Sequence, residues 1–385
     1  MIMETKTTIF SFIKDYNYLG TGSEIKRRKL MNKKEIAEIK KQFAAKHAVV
    51  NIICMTYVSE EKEILFANKE YLNQMPEEEA EQYLDLLKKG LSGKIGKNLY
   101  TMDFPTVDGG SKEENDFQQV RKMQEGEFLR SIIDTYQTSN KYVILEAHGV
   151  YDVPGEEEYV YEFVEIALCP VQLSDDKLVC DASKQIICGR VRDMLLSAPT
   201  DAFLYPAFHD RCEDVHSVLY YTKKPSVKQD ALLENLTGNT RPLSIDEEMD
   251  IFHSSLEESG IGSMEIVGQL YDQIQKMQDA TPDEVVPSCG LNMMEKMLRN
   301  CDVSEDNIEI FSQIIINKIG KNGRLRLNGL MDTKHYCIKN NYFDIKTDSE
   351  LAGDVFVKEI DGQRYLLCPI KDSEVEINGI TFQAR

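Results

Sequence analysis

Apolar residues follow one another along this chain in three successive rhythms. From Met31 the rhythm is helical: in MNKKEIAEIKKQF the residues Ile36, Ile39 and Phe43 share one stripe, predicting a helix over 32–43. Residues 48–57 then turn β-branched and apolar on both faces (Val49, Val50, Ile52, Ile53), as a buried strand does. A second helix begins at Pro76, whose fixed φ suits a first turn. Glu77, Glu78 and Glu79 follow where the helix dipole favours acids. Its apolar face is Ala80, Tyr83, Leu84, Leu87 and Leu91, with Gly90 and Gly93 at its exit. Residues 128–136 form a further helical stripe with Ile132 and Ile133 inward. Residues 142–145 and 159–168 read as paired strands joined through Val153-Pro154-Gly155-Glu156, which has the residues of a type II turn. The second of these strands is apolar on both faces apart from Glu162 and Glu165, which places it inside a sheet. Strands around Phe203 and over 215–222 complete an antiparallel or mixed sheet with packed helices, an α+β layout.

The rhythm changes after Gly238. Helical spacing dominates 244–320, with helices expected over 245–258, 263–279, 289–300 and 305–319. Ser244-Ile245-Asp246-Glu247 and Thr281-Pro282-Asp283-Glu284 both fit the capping box. From Arg324 onward strands return. Asp361-Gly362 and Asn378-Gly379 each sit between two alternating runs, as two-residue hairpin turns do. The chain thus divides into an α+β domain over 31–240, an acidic helical segment over 244–320 and a small β-hairpin domain over 324–385.

Composition narrows the setting. The chain has 385 residues, enough for more than one core, and its 42% hydrophobic and 29% charged content is that of a soluble globular protein. A formal charge of −20 repels phosphate backbones and anionic lipid, so no nucleic-acid partner is expected. No apolar run is long enough to cross a bilayer, so no membrane association is expected. The nine cysteines are scattered without a CxxC pair, which points to free thiols in a reducing cytoplasm. Residues 1–30 carry neither helical nor strand period. Arg27-Arg28, just ahead of Met31, is what a ribosome-binding AGGAGG would encode. The expectation is that translation starts at Met31, the alternative being a disordered basic arm; the acidic balance survives either way.

Candidate chemistry gathers in 199–224, PTDAFLYPAFHDRCEDVHSVLYYTKK. Strand alternation puts Asp214, His216, Val218 and Tyr220 on one face, so Asp214 and His216 are candidate metal ligands or an acid/base pair. His209 and Asp210 stand beside them as candidate catalytic residues, after Pro206, which interrupts any regular central strand. Arg192 and Arg211 are candidate holders of an anionic substrate, with Arg190, Lys223 and Lys224 nearby. The competing reading is a structural ion-pair cluster. His148 and Asp152 flank the predicted hairpin turn and read as its polar ends. Gly90–Lys97 imitates a phosphate loop but fails on spacing, on Asn98 where Ser or Thr is needed, and on following a helix. No motif implies a cofactor.

Several of these segments are similar to one family. LSGKIGKNL from Leu91, YDVPG from Tyr151, CPVQLS from Cys169, AFLYPAFHDRCEDVHSVLYYTK from Ala202 and VKEIDGQRYLLCPIKDSEVEINGI from Val357 resemble the bacterial family called domain of unknown function 4317. The resemblance runs from Met31 nearly to the end and implies a Gram-positive bacterial source. It brings no catalytic residue to carry over. Two functions are therefore expected to compete. One is a non-catalytic binding or regulatory protein acting through protein–protein contacts. The other is a hydrolase-type enzyme with a metal or acid/base site around His209, Asp214 and His216.

Overall fold

The computed structural model describes residues 31–124, 127–155, 159–174, 178–181, 186–189, 194–280, 287–332, 335–339, 341–348, 355–368, 374–377 and 380–383. The helices of its first part are α1 (Lys33–Gln42), α2 (Glu77–Gly90), α3 (Lys112–Arg121), α4 (Phe128–Thr135) and α5 (Asp230–Thr237). The strands there are β1 (Val50–Val58), β2 (Ile64–Tyr71), β3 (Leu99–Asp103), β4 (Tyr142–Asp152), β5 (Val160–Leu173), β6 (Leu178–Asp181) and β7 (Ile186–Gly189). They continue with β8 (Met194–Leu196), β9 (Asp201–Tyr205), β10 (Ala207–His209), β11 (Cys212–Asp214) and β12 (Ser217–Thr222).

Eight of these strands form one sheet in the order β2-β1-β4-β5-β9-β12-β3, with β8 beside the far end of β5. Every pairing in it is antiparallel. Strand alternation divides its side chains between two cores. In β9, Ala202 and Leu204 enter one with α1 and α2, while Phe203 and Tyr205 enter the other with α3, α4 and α5. The first core holds Ile36, Ile39, Phe43, Leu84 and Leu87 on the helix side. The second holds Phe117, Ile132, Ile133, Leu232 and Leu236. Each large apolar side chain so enclosed contributes roughly 1.5–3 kcal/mol of transfer free energy.

Local chemistry sets the helix ends. Asn32 caps α1: its Oδ1 accepts from Lys34 N and Glu35 N, and Glu35 Oε2 accepts from Asn32 N at 2.7 Å. At the other end of the first part, Gly238 takes φ +68° as the left-handed cap of α5.

A third core lies among α6 (Ile245–Glu258), α7 (Met264–Asp279), α8 (Leu291–Arg299) and α9 (Glu305–Ile319). Joining it are the pair β13 (Ser288–Gly290) and β14 (Arg324–Arg326) and the hairpin β15 (His335–Lys339)–β16 (Asp344–Asp348). Two more hairpins follow, β17 (Phe356–Ile360)–β18 (Gln363–Leu367) and β19 (Glu374–Ile377)–β20 (Ile380–Gln383). The helical segment is tied to the sheet through the Lys94–Asn98 loop, which overlaps the Gly90–Lys97 imitation of a phosphate loop. Ile245 N donates to Gly96 O at 2.9 Å, and Lys97 pairs with Asp246 at 2.6 Å. Arg326 grips Glu248 at 2.9 Å and the Leu243 carbonyl, its guanidinium lying so close over Gly96 that a side chain there would have to displace it.

The α+β expectation holds, with antiparallel pairing throughout the sheet. The helices of the second part fall within two residues of the expected bounds, and Ser244–Glu247 forms both capping-box bonds. Asp361 and Gly362 take φ +51° and +78°, as a two-residue hairpin turn requires. Thr281–Glu284 and the Asn378-Gly379 turn lie outside the described residues. Three expectations change. β4 runs on to Asp152, so His148 lies within the strand, buried, instead of at a turn end. Burial lowers the pKa of its imidazole, partly offset by a backbone hydrogen bond at Arg121. β12 begins only at Ser217, which leaves Val215 and His216 in a turn. And β2, β3, α3 and α5 were not anticipated.

One buried polar group gives a pH test. Asp201, 3% exposed at the start of β9, accepts from Tyr220 Oη at 2.6 Å. Burial pushes its carboxyl from 3.8 up to about 6, against the hydroxyls of Tyr220, Thr200 and Thr222. A raised carboxyl favours the fold most below its unfolded pKa. That contribution is lost as pH rises through the folded value and amounts to roughly 3 kcal/mol. Asp201→Asn keeps an acceptor for Tyr220. Urea unfolding should therefore show a smaller decline in this variant's stability between about pH 4 and pH 7 than in the native chain. Parallel declines would show that Asp201 does not carry the effect.

Candidate functional site

The stretch between Tyr205 and Ser217 forms a small hairpin, β10–β11, off the sheet's end. The pair His209↔Cys212 brackets a two-residue turn in which Asp210 and Arg211 take φ +49° and +59°. Both are left-handed, a strained conformation for Arg in particular, costing of order 1–2 kcal/mol. The turn is held by α1. Asp210 N donates to Glu35 Oε1 at 2.8 Å, while the other Glu35 oxygen completes the α1 cap. Arg211 donates to the Pro154 carbonyl at 2.7 Å and pairs with Glu38 at 3.2 Å. Glu38 also accepts from Tyr151 Oη at 3.0 Å, and burial with this contact pushes the Tyr151 phenol up to about 12.

This arrangement gathers Glu35, His209 and Asp210: one ligand atom from each lies within 4.8 Å of the others. Among the described residues no other group of three His, Cys, Asp or Glu meets that geometry. Asp214 and His216 do not join it. Asp214 accepts from Ser217 Oγ at 2.8 Å and from His216 N at 3.2 Å, closing the turn into β12. His216 is 76% exposed and reaches Glu114 at 3.2 Å on α3, which packs on the opposite side of the sheet from α1. Asp214 and His216 do not share a strand face, because Asp214 ends β11, His216 lies in the following turn and β12 starts only at Ser217. Between the two clusters, Glu213 pairs with Arg121 of α3. Arg192 lies outside the described residues, and Arg211 is committed to Glu38 and Pro154.

Sequence reasoning missed Glu35, Glu38 and Tyr151 as members of the knot. The Asn32-x-x-Glu35 spacing is a capping-box signal, but nothing local links Glu35 to a turn 175 residues away.

A second feature is a surface. β2 pairs only with β1 and lies at the sheet's edge. Ile64, Leu65 and Phe66 are 46%, 50% and 54% exposed, and Tyr71 at its far end is exposed as well. Phe66 rests on Tyr57, ring centroids 5.3 Å apart. The row of outward N–H and C=O groups on such a strand is a template for another strand.

The fold and these two features define an α+β protein with a polar knot at one end of its sheet and an open apolar edge. The profile of the family described as "Domain of unknown function (DUF4317)" matches residues 31–380, and the chain belongs to that family. No curated protein and no solved structure matches it. Among the described residues no helix is long and apolar enough to cross a membrane.

The two clusters should differ in what they hold up. Glu35→Ala removes a cap worth about 1 kcal/mol and a charged hydrogen bond worth about 1.5–2 kcal/mol. Urea denaturation should register a combined loss of about 2–3 kcal/mol. Glu114→Ala, which frees an exposed histidine, should cost below about 1 kcal/mol. Equal losses would contradict this assignment.

Proposed function

We propose that this is a non-catalytic binding or regulatory protein, acting in the bacterial cytoplasm by adding a partner's strand to the free edge of β2. The observation that carries the reading is the run Ile64–Leu65–Phe66, exposed on both faces of an edge strand. Natural edge strands are normally blunted by charge, proline, bulges or covering elements; Ile64–Ala67 carries no charge or proline, and its one such device is the register shift opposite Tyr57 and Val58, which leaves Leu65 as an extra residue. Strand addition supplies main-chain hydrogen bonds, and the exposed side chains supply selectivity.

Charge indicates the partner. The rim of this edge carries Glu60, Glu61, Glu63 and Glu70 against Lys62 and Lys69, within a chain of net charge −20. A second copy would bring the same charge against itself. An extended apolar segment flanked by Lys or Arg is complementary. The cytoplasmic setting rests on Cys169, Cys289 and Cys301, which are buried as free thiols. The hydrolase-type reading has less behind it, because His209 and His216 take their partners from opposite layers.

A photo-crosslinking residue at position 66, in the full chain and in its native host, tests the proposal, with a control at exposed Lys34 on α1. Crosslinked peptides from position 66 should map to an apolar, basic-flanked segment of another protein and vanish with Leu65→Lys. Crosslinks only to the chain itself, or equal yields at both positions, would overturn it.

A further inference from the structure

We propose that Glu35, His209 and Asp210 form a binding site for a divalent transition-metal ion of the zinc class. Three observations lead there. The first is the donor set: an imidazole and two carboxylates, each presenting an atom within 4.8 Å of the other two. Imidazole with carboxylate suits zinc, manganese or ferrous iron better than calcium or magnesium, which take oxygen alone.

The second is spacing. His209 Nδ1 lies 3.2 Å from Asp210 Oδ2. Two ligands about 2.0–2.1 Å from a tetrahedral ion stand ~3.3 Å apart, so the pair already has the edge length of such a shell.

The third is orientation. At 3.2 Å a histidine and a carboxylate normally share a hydrogen bond. Here Nδ1 is shut off from solvent and makes no hydrogen bond among the described residues. The two atoms sit side by side instead of pointing at one another, as donors do when they converge on a third body. A buried ring nitrogen left without a hydrogen bond is costly, and an ion would remove that cost.

The surroundings complete the site. Glu35 is 6% exposed and doubly held, by the α1 cap and by Asp210 N, and each of its oxygens keeps a lone pair for an ion. These contacts orient a ligand as outer-shell hydrogen bonds do in metal sites. The Asp210 side chain is 66% exposed and gives the ion a way in. Arg211, the cation next in the turn, is engaged by Glu38 and the Pro154 carbonyl. Three protein ligands leave a fourth position for water. Bound there, the ion would neutralise two carboxylates and clamp the strained Asp210–Arg211 turn to the start of α1.

Equilibrium dialysis of the chelator-treated full chain against zinc, with cobalt absorption as a reporter of geometry, tests this. One equivalent of zinc should be retained, and cobalt should give the intense visible bands of a tetrahedral site. Asp210→Asn and His209→Gln should each weaken binding at least about tenfold. Glu35→Gln should do the same while keeping one of the two backbone contacts, since its single amide oxygen can still accept in the helix cap but its NH2 cannot accept from Asp210 N; a melt that stays cooperative and falls less than that of Glu35→Ala then separates loss of a ligand from loss of the fold. His216→Ala and Asp214→Asn should leave binding within about twofold, because neither residue reaches the group. No stoichiometric retention at about 100 µM zinc, or retention indifferent to Glu35→Gln, His209→Gln and Asp210→Asn, would overturn the proposal.

Discussion

β5 is buried on both faces, and most of the architecture follows from that. Phe163, Ala167 and Cys169 face one core while Val164, Ile166 and Leu168 face the other, all at 0% exposure. A strand with no solvent side needs strands on both edges and helices on both faces. The chain accordingly supplies β4 and β9, then α1 and α2 on one side and α3, α4 and α5 on the other. The constraint also encloses Glu165. Its carboxyl has no hydrogen-bond partner among the described residues, and desolvation raises its pKa well above the usual range, which favours the neutral form. The fit around it is close. A Cβ on Gly90 would lie 2.5 Å from Glu165 Oε1 and 2.9 Å from the Ala202 methyl. The last turn of α2 can therefore approach the sheet only with glycine at that position.

Outside the cores, pieces distant in sequence are joined by arginines that combine a carboxylate with a backbone carbonyl. Arg241 takes Glu247 and the Pro225 and Pro242 carbonyls and lies 5.1 Å over the Tyr100 ring. Arg326 takes Glu248 and the Leu243 carbonyl, and Arg211 takes Glu38 and the Pro154 carbonyl. A planar guanidinium can satisfy both kinds of acceptor at once, which an ammonium does less well. Where such a pair is buried, as Arg326 with Glu248 is, removing one partner leaves an uncompensated charge and costs roughly 3–5 kcal/mol. The Lys94–Asn98 loop thus has a structural use: its glycine lets the Arg326 guanidinium lie against the backbone.

How far the sequence could be read depended on the range of each signal. α1, α2, the helices of the second part and the Asp361-Gly362 turn were legible because periodicity, caps and turn residues are local. β5 announced itself as a central strand by being apolar on both faces. β2 was not legible, because Ile64 to Tyr71 has no clean alternation and does not bury a face that would enforce one. β3 is short, and α3 shows only Phe117 and Val120 in a polar run. At the candidate site, His209 and Asp210 could be picked out by residue type. Their grouping with Glu35, and the exclusion of Asp214 and His216, depended on a turn and on a contact across 175 residues. Alternation is a sound rule only inside a strand, and β12 starts at Ser217.

The two edges of the sheet differ in what covers them, and the proposed strand addition at β2 rests on that difference. At the β3 edge the chain covers itself. Asn239 donates to the Asp103 carbonyl at 2.7 Å, Arg241 reaches the Tyr100 hydroxyl at 3.1 Å, and the Gly96 loop folds back onto Leu99. A strand edge so occupied cannot recruit another chain. The β2 edge receives no comparable cover among the described residues, and its composition is not uniform. Its second half carries Asn68, Lys69 and Glu70, which discourage pairing, whereas its first half places three apolar side chains in water. Leu65 and Phe66 are already about half buried, so covering the rest would contribute roughly 0.8–1.5 kcal/mol each, to which strand addition would add main-chain hydrogen bonds. An edge protected over half its length and left apolar over the other half restricts where a second strand can register. In the proposed strand addition, this is what would set the register that a partner's apolar positions must match.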